Sequence, residues 1–166
     1  PSGIVPIVAG VEPSYLTLPL SEDETGRLDS AAILQLQDEV EKADVVAIGP
    51  GCGQSLGVSD IVQWLYRDFE KLLIVDADGL NALSQLAELP PAAGPRVFTP
   101  HPGEFARLTG SDIANVQSHR EEVAAKFAKQ TGCVLLLKGA GTVITDGERI
   151  AVNSTGNSGM GTGGSG

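Results

Sequence analysis

Short continuous apolar runs alternate along the chain with longer stretches in which apolar residues recur every three or four positions. A continuous run of four or five apolar residues is typical of a strand covered on both faces, as in a parallel sheet. The runs predict strands over Gly3–Ala9, Val45–Ile48, Leu72–Val75, Arg96–Phe98 and Cys133–Leu137. Two more apolar runs, Val143–Ile144 and Ile150–Val152, flank Asp146-Gly147 and predict a hairpin.

Helical spacing of apolar residues fills most of the intervals between these strands. Pro6 predicts either an edge position or an irregularity in the first strand, and residues 12–27 are predicted to form a loop. The predicted helices cover Asp29–Ala43, Val58–Phe69, Asp78–Leu83, Gly103–Leu108 and Val123–Thr131.

The alternation of strands and helices predicts an α/β fold with a parallel, doubly wound sheet. A length of 166 residues is typical of one domain. The sequence has no internal repeat, and Pro90-Pro91 lies in a loop rather than at a domain boundary. We therefore expect a single domain over residues 1–166.

Charge and cysteine content narrow the classes of partner. Eleven Lys and Arg against 21 Asp and Glu give a formal net charge of −10, which disfavours binding to nucleic acid or an anionic membrane. No apolar run approaches the roughly 18 residues that span a bilayer, and no secretory signal opens the chain. Cys52 and Cys133 are too few for a disulfide framework or a metal site. We expect two reduced thiols in a cytoplasmic protein.

Glycine, charged and polar residues follow each predicted strand. In open α/β sheets, ligands bind at the carboxyl ends of the strands. One shared site is therefore predicted from the segments Gly49–Gly53, Asp76–Asp78, Thr99–Glu104, Lys138–Thr142 and the glycine-rich end Asn153–Gly166.

Each of these segments also has a purely structural interpretation. The glycine-rich end is either a disordered tail or a cradle whose backbone N–H groups hold an anion. His101 and Glu104 either cap a helix or contact a ligand and a hydrated Mg²⁺. Asp76 and Asp78 either cap a helix or face a ligand, and Lys138 is either solvated or a partner for phosphate.

Five segments, taken together, carry a resemblance to a known family. They are Val46–Gly53 (VAIGPGCG), Val75–Asn81 (VDADGLN), Phe98–Phe105 (FTPHPGEF), Leu137–Thr142 (LKGAGT) and Gly156–Gly166 (GNSGMGTGGSG). In this order they resemble the NAD(P)H-hydrate dehydratases, with the likeness extending over residues 3–166. The resemblance implies a ribokinase-like, three-layer α/β/α fold with a mostly parallel central sheet.

The resemblance also implies an activity, the repair of hydrated NADH or NADPH by a carbon–oxygen lyase. Phosphoryl transfer from ADP or ATP, assisted by Mg²⁺, would turn the ring hydroxyl into a good leaving group, and phosphate would then be eliminated. Gly51, Gly53 and His101 would contact the hydrated dinucleotide, and Glu104 would hold Mg²⁺ through water. The nucleotide contacts would come from Lys138, Gly139, Ala140, Gly141, Thr142, Gly156, Asn157, Gly163, Gly164 and Gly166.

The family's glycine-rich loop ends in an aspartate, the expected general base, which would follow Gly166. We therefore expect the chain to cover the middle of the domain, to hold no catalytic residue, and to show no turnover by itself. Two other functions stay open: a sugar or hydroxymethylpyrimidine kinase of the same fold, and a nucleotide-binding module without catalysis. His101, where such kinases carry asparagine, and residues 138–142 favour the dehydratase. A homo-oligomer is expected.

Overall fold

Six strands form one mixed sheet in the computed structural model, which describes residues 1–157 and Gly159. The strands lie side by side in chain order: β1 (Val45–Ile48), β2 (Leu72–Val75), β3 (Arg96–Phe98), β4 (Val134–Leu137), β5 (Thr142–Thr145) and β6 (Ile150–Asn153). β1 to β4 are parallel, whereas β5 and β6 are antiparallel to their neighbours. The predicted mostly parallel α/β sheet is confirmed, although its described strands lack the order reversal of a doubly wound sheet.

Seven α-helices accompany the sheet within the described residues. They are α1 (Val5–Val11), α2 (Ala32–Lys42), α3 (Leu56–Asp68), α4 (Ala77–Leu83), α5 (Pro102–Thr109), α6 (Ile113–Ser118) and α7 (Arg120–Thr131). The Ser55 side chain caps α3 by accepting from the Val58 N–H at 3.1 Å. Gly110 and Gly132 end α5 and α7 in the left-handed conformation. No helix among these residues has the length and apolar character needed to cross a membrane.

The first eleven residues differ from the sequence-based expectation. The predicted strand over Gly3–Ala9 is wrong, because a 3-10 turn over Ser2–Ile4 leads directly into α1. No residue of α1 is buried, and the segment joins no described strand. A lone strand leaves its N–H and C=O groups unpaired, whereas a helix satisfies them internally. The apolar segment therefore forms a helix.

An aromatic cluster fixes three helices on one face of the sheet. The Phe98 ring on β3 lies 6.2 Å from Tyr66 of α3 and 6.1 Å from Phe127 of α7, measured between ring centroids. Phe127 in turn meets Phe105 of α5 edge to face at 5.4 Å. α3, α5 and α7 therefore share one face, and this face holds the fully buried side chains of the strands.

The topology brings five chain segments to one edge of the sheet. β1 to β4 run in the same direction, so the residues that follow them lie at a common carboxyl edge. β6 is antiparallel to β5, which is antiparallel to β4, so β6 also ends at this edge. The candidate segments from the sequence therefore converge on this edge, as far as the structure describes them.

Candidate functional site

An acid–lysine pair lies at the centre of the carboxyl edge. Asp76 follows β2, Lys138 follows β4, and the Lys138 Nζ donates to Asp76 Oδ1 at 2.8 Å. Both side chains are 28% exposed. Burial alone would raise the pKa of Asp76, but hydrogen bonds from Lys138 and from Thr99 outweigh it and hold this pKa below its usual range. The pair thus joins the ends of β2, β3 and β4.

The backbone after β1 packs directly against the backbone after β2. The Asp76 N–H donates to the Ile48 carbonyl at 3.1 Å. Gly49 has a φ of +127°, and a Cβ at this position would lie 1.8 Å from the Asp76 carbonyl oxygen. Ala77 adopts a φ of +46°, a sparsely populated conformation for a residue with a side chain. The two strand ends therefore meet so closely that only glycine fits between them.

The loop after β1 is held by a second carboxylate. Asp78 Oδ2 accepts from the Gly53 N–H at 2.9 Å, and Asp78 Oδ1 accepts from Asn81 at 3.4 Å. Gly51 and Gly53 have φ values of +72° and +70°, and a Cβ at either would meet no atom within 4 Å. The predicted substrate residues Gly51 and Gly53 thus face open space, and Asp78 fixes the loop that carries them.

His101 and Glu104 form the capping box of α5, the structural interpretation left open by the sequence. His101 Nδ1 accepts from the N–H groups of Gly103 at 3.0 Å and Glu104 at 3.3 Å. Glu104 Oε2 accepts from the His101 N–H at 2.8 Å. Because Nδ1 accepts, the ring proton lies on Nε2, 3.4 Å from Glu104 Oε1. The ring is nevertheless 52% exposed and remains accessible to a ligand.

Glu104 has limited capacity for a metal ion. Its side chain is 8% exposed, and one carboxylate oxygen is already engaged by the His101 backbone. Among residues 1–157, no cluster of three or more His, Cys, Asp or Glu side chains is arranged to hold a metal. Direct coordination is therefore disfavoured, and the contact to Mg²⁺ through water stays a prediction.

Loop 138–142 connects β4 to β5 and contains two glycines with positive φ. The Lys138 N–H donates to the Pro100 carbonyl at 2.8 Å, which ties the loop to the end of β3. Gly139 and Gly141 have φ values of +143° and +67°. The Thr142 hydroxyl donates to the Gly139 carbonyl at 3.0 Å and closes the turn. Beside the loop lies an open cavity of about 540 Å³.

Arg120, at the start of α7, is a site residue that the sequence analysis missed. Its guanidinium donates to the carbonyls of Leu137 and Lys138 at 2.8 and 3.3 Å. It also donates to the Gly141 carbonyl at 3.3 Å. The one available signal was a cation in the first turn of a helix, where positive charge is disfavoured.

The glycine-rich end is described only in its first part. Gly156 and Asn157 follow β6 at the carboxyl edge and are exposed, and Gly156 has a φ of +104°. Gly163, Gly164 and Gly166, which the sequence assigned to the nucleotide, lie outside the described residues. The anion cradle therefore remains a prediction.

Cys52 lies in the loop after β1, between Gly51 and Gly53, and Cys133 directly precedes β4; both are unpaired thiols. Cys133 is buried, and this burial raises the pKa of its thiol to about 11. Cys52 is half-buried, and its pKa is raised for the same reason. Neither thiol is poised as a nucleophile.

The mostly parallel α/β sheet, which brings the glycine loops to its carboxyl edge, is a fold of the ribokinase-like class. The fold is similar to that of a ribokinase-like superfamily protein from Enterococcus faecalis, with a TM-score of 0.65 and 28% identity. That match covers 81% of this chain and 47% of that one.

The family itself follows from the sequence comparison. The family model for NAD(P)H-hydrate dehydratase matches residues 3–166, so the chain belongs to that family. The resemblance drawn from the five segments is confirmed.

Two further relatives extend this comparison. The bifunctional NAD(P)H-hydrate repair enzyme Nnr of Moorella thermoacetica is 43% identical over 169 residues, which cover 100% of this chain and 32% of that protein. The crystal structure of an ADP/ATP-dependent NAD(P)H-hydrate dehydratase from Bacillus subtilis, grown with ATP and Mg²⁺, matches with a TM-score of 0.70 and 30% identity. It covers 98% of this chain and 54% of that one. The chain thus spans about a third of the curated relative.

Proposed function

We propose that this chain supplies nucleotide- and substrate-binding residues of an ADP- or ATP-dependent NAD(P)H-hydrate dehydratase. The observation that carries the proposal is the convergence of family segments on one edge of the sheet. Asp76 and Lys138 form the pair at its centre, and the loops that contain Gly53 and Gly139 lie at the ends of β1 and β4. Family membership supplies the reaction.

The proposed reaction consists of a phosphoryl transfer followed by an elimination of phosphate. The hydroxyl oxygen of the hydrated nicotinamide ring attacks the terminal phosphorus of ADP or ATP, loses its proton, and releases AMP or ADP. The ring then loses phosphate and a neighbouring proton, which restores the double bond. The bound nucleotide thus supplies the phosphoryl group that converts hydroxide, a poor leaving group, into phosphate.

The nucleotide side of the site is assigned to loop 138–142. The Lys138 ammonium is a point charge suited to a phosphate oxygen, and Asp76 holds it 2.8 Å away at the edge of the sheet. Gly139 and Gly141 permit the close approach of backbone to phosphate that a side chain would block. Gly156, Asn157 and the glycines that follow them are assigned to the transferred phosphate.

The substrate side is assigned to Gly51, Gly53 and His101. The open space around both glycines accommodates a ligand against the backbone, and the half-exposed His101 ring offers its Nε2–H as a donor. Glu104 would orient a water on Mg²⁺. Location in the cytoplasm and assembly as a homo-oligomer remain predictions.

Turnover of hydrated NADH by the full-length natural protein tests the proposal. With ADP or ATP and Mg²⁺, we expect the absorbance of the dihydronicotinamide ring to return. Lys138→Met should lower kcat/KM by about 10²-fold or more, because it removes a charge that the developing phosphate needs. Lys71→Met is the matched control, since Lys71 donates to the carbonyls of Glu41 and Ala43 at 3.1 and 2.8 Å at the opposite edge.

Two results would contradict this function. Phosphorylation of a sugar or a hydroxymethylpyrimidine, with no turnover of hydrated NADH, would make the protein a kinase. Nucleotide binding without turnover of any of these compounds would make it a binding module.

A further inference from the structure

Arg120 makes an unusual set of contacts with loop 138–142. One terminal nitrogen, Nη2, donates to three backbone carbonyls, those of Leu137, Lys138 and Gly141, at 2.8, 3.3 and 3.3 Å. The other, Nη1, donates to Gln117 Oε1 at 3.2 Å. The three carbonyl contacts hold the end of β4 and the loop that follows it, and the Gln117 contact ties Arg120 to α6.

The position of Arg120 is unfavourable for a cation. It is the first residue of α7, where the helix dipole is positive. Burial lowers the pKa of its guanidinium, and its Nε is buried without a hydrogen-bond partner among the described residues. Among the described residues, no carboxylate forms an ion pair with the Arg120 guanidinium. Hydrogen bonds to the carbonyls of Leu137, Lys138 and Gly141 stabilise the buried positive charge instead.

Gly139 allows the guanidinium to close against the loop. A Cβ at this position would lie 3.0 Å from Arg120 Nη1 and 3.2 Å from Nη2, so a larger residue would shift the guanidinium by a few tenths of an ångström. The glycine and the arginine therefore fit together as one unit.

The contacts with Arg120 decide which way the N–H groups of the loop point. In a trans peptide the C=O and the following N–H point in opposite directions. The Leu137 carbonyl faces Arg120, and the next N–H, of Lys138, points away and donates to Pro100 at 2.8 Å. The Lys138 carbonyl also faces Arg120, so the Gly139 N–H is turned away from the guanidinium.

We propose that Arg120 is the positioning residue that orients the N–H groups of loop 138–142 for the phosphates of the nucleotide. This inference rests on the proposed nucleotide site. Arg120 acts through the loop backbone, and it requires the planar fork of a guanidinium, since a lysine cannot reach three carbonyls in this arrangement.

Arg96 provides a matched control for a purely structural role. It is 2% exposed, and its Nη2 also donates to three carbonyls, those of Leu65, Tyr66 and Phe69. Its Nε is also buried without a partner in the described residues. Arg96 begins β3 and therefore lies at the amino edge of the sheet, away from the candidate site.

The test compares Arg120→Lys with Arg96→Lys in the full-length natural protein, with calorimetric titrations of ADP and adenosine. We expect Arg120→Lys to weaken ADP binding by about 10-fold or more and adenosine binding by less than about twofold, because adenosine has no phosphate to position. Arg96→Lys should lower the melting temperature and leave both affinities near those of the unsubstituted protein. Lysine keeps the positive charge of Arg120 but not its three carbonyl contacts. Unchanged ADP affinity in Arg120→Lys would therefore overturn the inference, because it would show that ADP binding does not depend on these contacts.

A second variant covers failure of Arg120→Lys to fold. In Arg120→Ala, added guanidinium at a concentration below denaturation should restore ADP affinity, whereas the same concentration of urea should not. Absence of rescue, or equal rescue of Arg96→Ala, would overturn the inference. If the unsubstituted protein binds no ADP, the proposed function fails first, and that result is visible before any variant is compared.

Discussion

Gly49 lies where the backbone of the candidate site leaves no room for a side chain. Its φ of +127° is disfavoured for any residue with a side chain, and a Cβ would overlap the Asp76 carbonyl oxygen at 1.8 Å. We predict that Gly49→Ala lowers the free energy of unfolding by about 3 kcal/mol or more, since both strain and overlap must be relieved by moving backbone. Urea denaturation measures the loss.

Gly51→Ala is the control for this prediction. Gly51 also has a positive φ, +72°, but a Cβ there would meet no atom within 4 Å. The cost should be that of the left-handed conformation alone, about 1–2 kcal/mol. Equal losses in both variants would show that the contact with Asp76 contributes nothing.

At the scale of the residue, sequence indicated where the chemistry lies but not how it is held. Lys138 and Asp76 are both predicted from sequence because each follows an apolar strand, whereas their pairing across 62 positions is identified only by the fold. Arg120 went unnoticed because its partners are carbonyl groups, which every residue possesses. A hydrogen bond to a backbone carbonyl requires no particular residue at the acceptor position, so the sequence does not reveal it.

At the scale of the element, α5 combines a structural cap with a proposed substrate contact in one residue. We predict that His101→Ala lowers the free energy of unfolding by about 1 kcal/mol, because it removes the acceptor for two backbone N–H groups. His101→Asn restores a side-chain acceptor and should recover most of this loss. Urea denaturation of the three proteins checks the order.

Binding separates the two roles of His101. We expect both variants to bind the hydrated dinucleotide less tightly than the unsubstituted protein and to bind ADP almost equally well, because only the ring is assigned to the substrate. Full substrate affinity in His101→Asn would mean that the ring makes no contact and that the residue only caps α5.

The strands were predictable where the apolar run is continuous, as in β1, β2 and β4, even though Val45 of β1 and Val134 of β4 are exposed in the described structure. The segment that contains Gly3–Ala9 has the same composition but forms α1, because strand formation depends on a partner that local sequence does not specify. α6 has only six residues and one buried side chain, Val116. A helix this short shows too little periodicity to be predicted.

At the scale of the molecule, the site depends on strand ends being held together across the sheet. The chain carries a formal net charge of −10, yet the central contact of the carboxyl edge brings Lys138 together with Asp76. The pair connects β2 to β4, which are not neighbours in the sheet. The pair therefore fixes the position of the segment after β2 relative to the segment after β4, which are otherwise connected in the sheet only through β3.

This connection predicts a loss of stability in acid. The pKa of Asp76 is lowered in the folded protein, so its contribution is fully present above the unfolded value of about 3.8 and is lost as pH falls through the lower folded value. We expect Asp76→Asn to reduce the free energy of unfolding at pH 7 by about 1.5–3 kcal/mol, the range for hydrogen bonds to charged groups. The difference between the two proteins should shrink as the pH is lowered below the unfolded value.

Asp44→Asn serves as the control for the acid dependence. Asp44 lies 4.0 Å from Lys71, but its side chain is 100% exposed, so solvent screens the pair. Its substitution should leave the free energy of unfolding close to that of the unsubstituted protein at either pH. Urea denaturation at several pH values measures the free energy of unfolding of both variants and of the unsubstituted protein. A gap between Asp76→Asn and the unsubstituted protein that stays constant with pH would mean that the carboxylate charge does not hold the strand ends together.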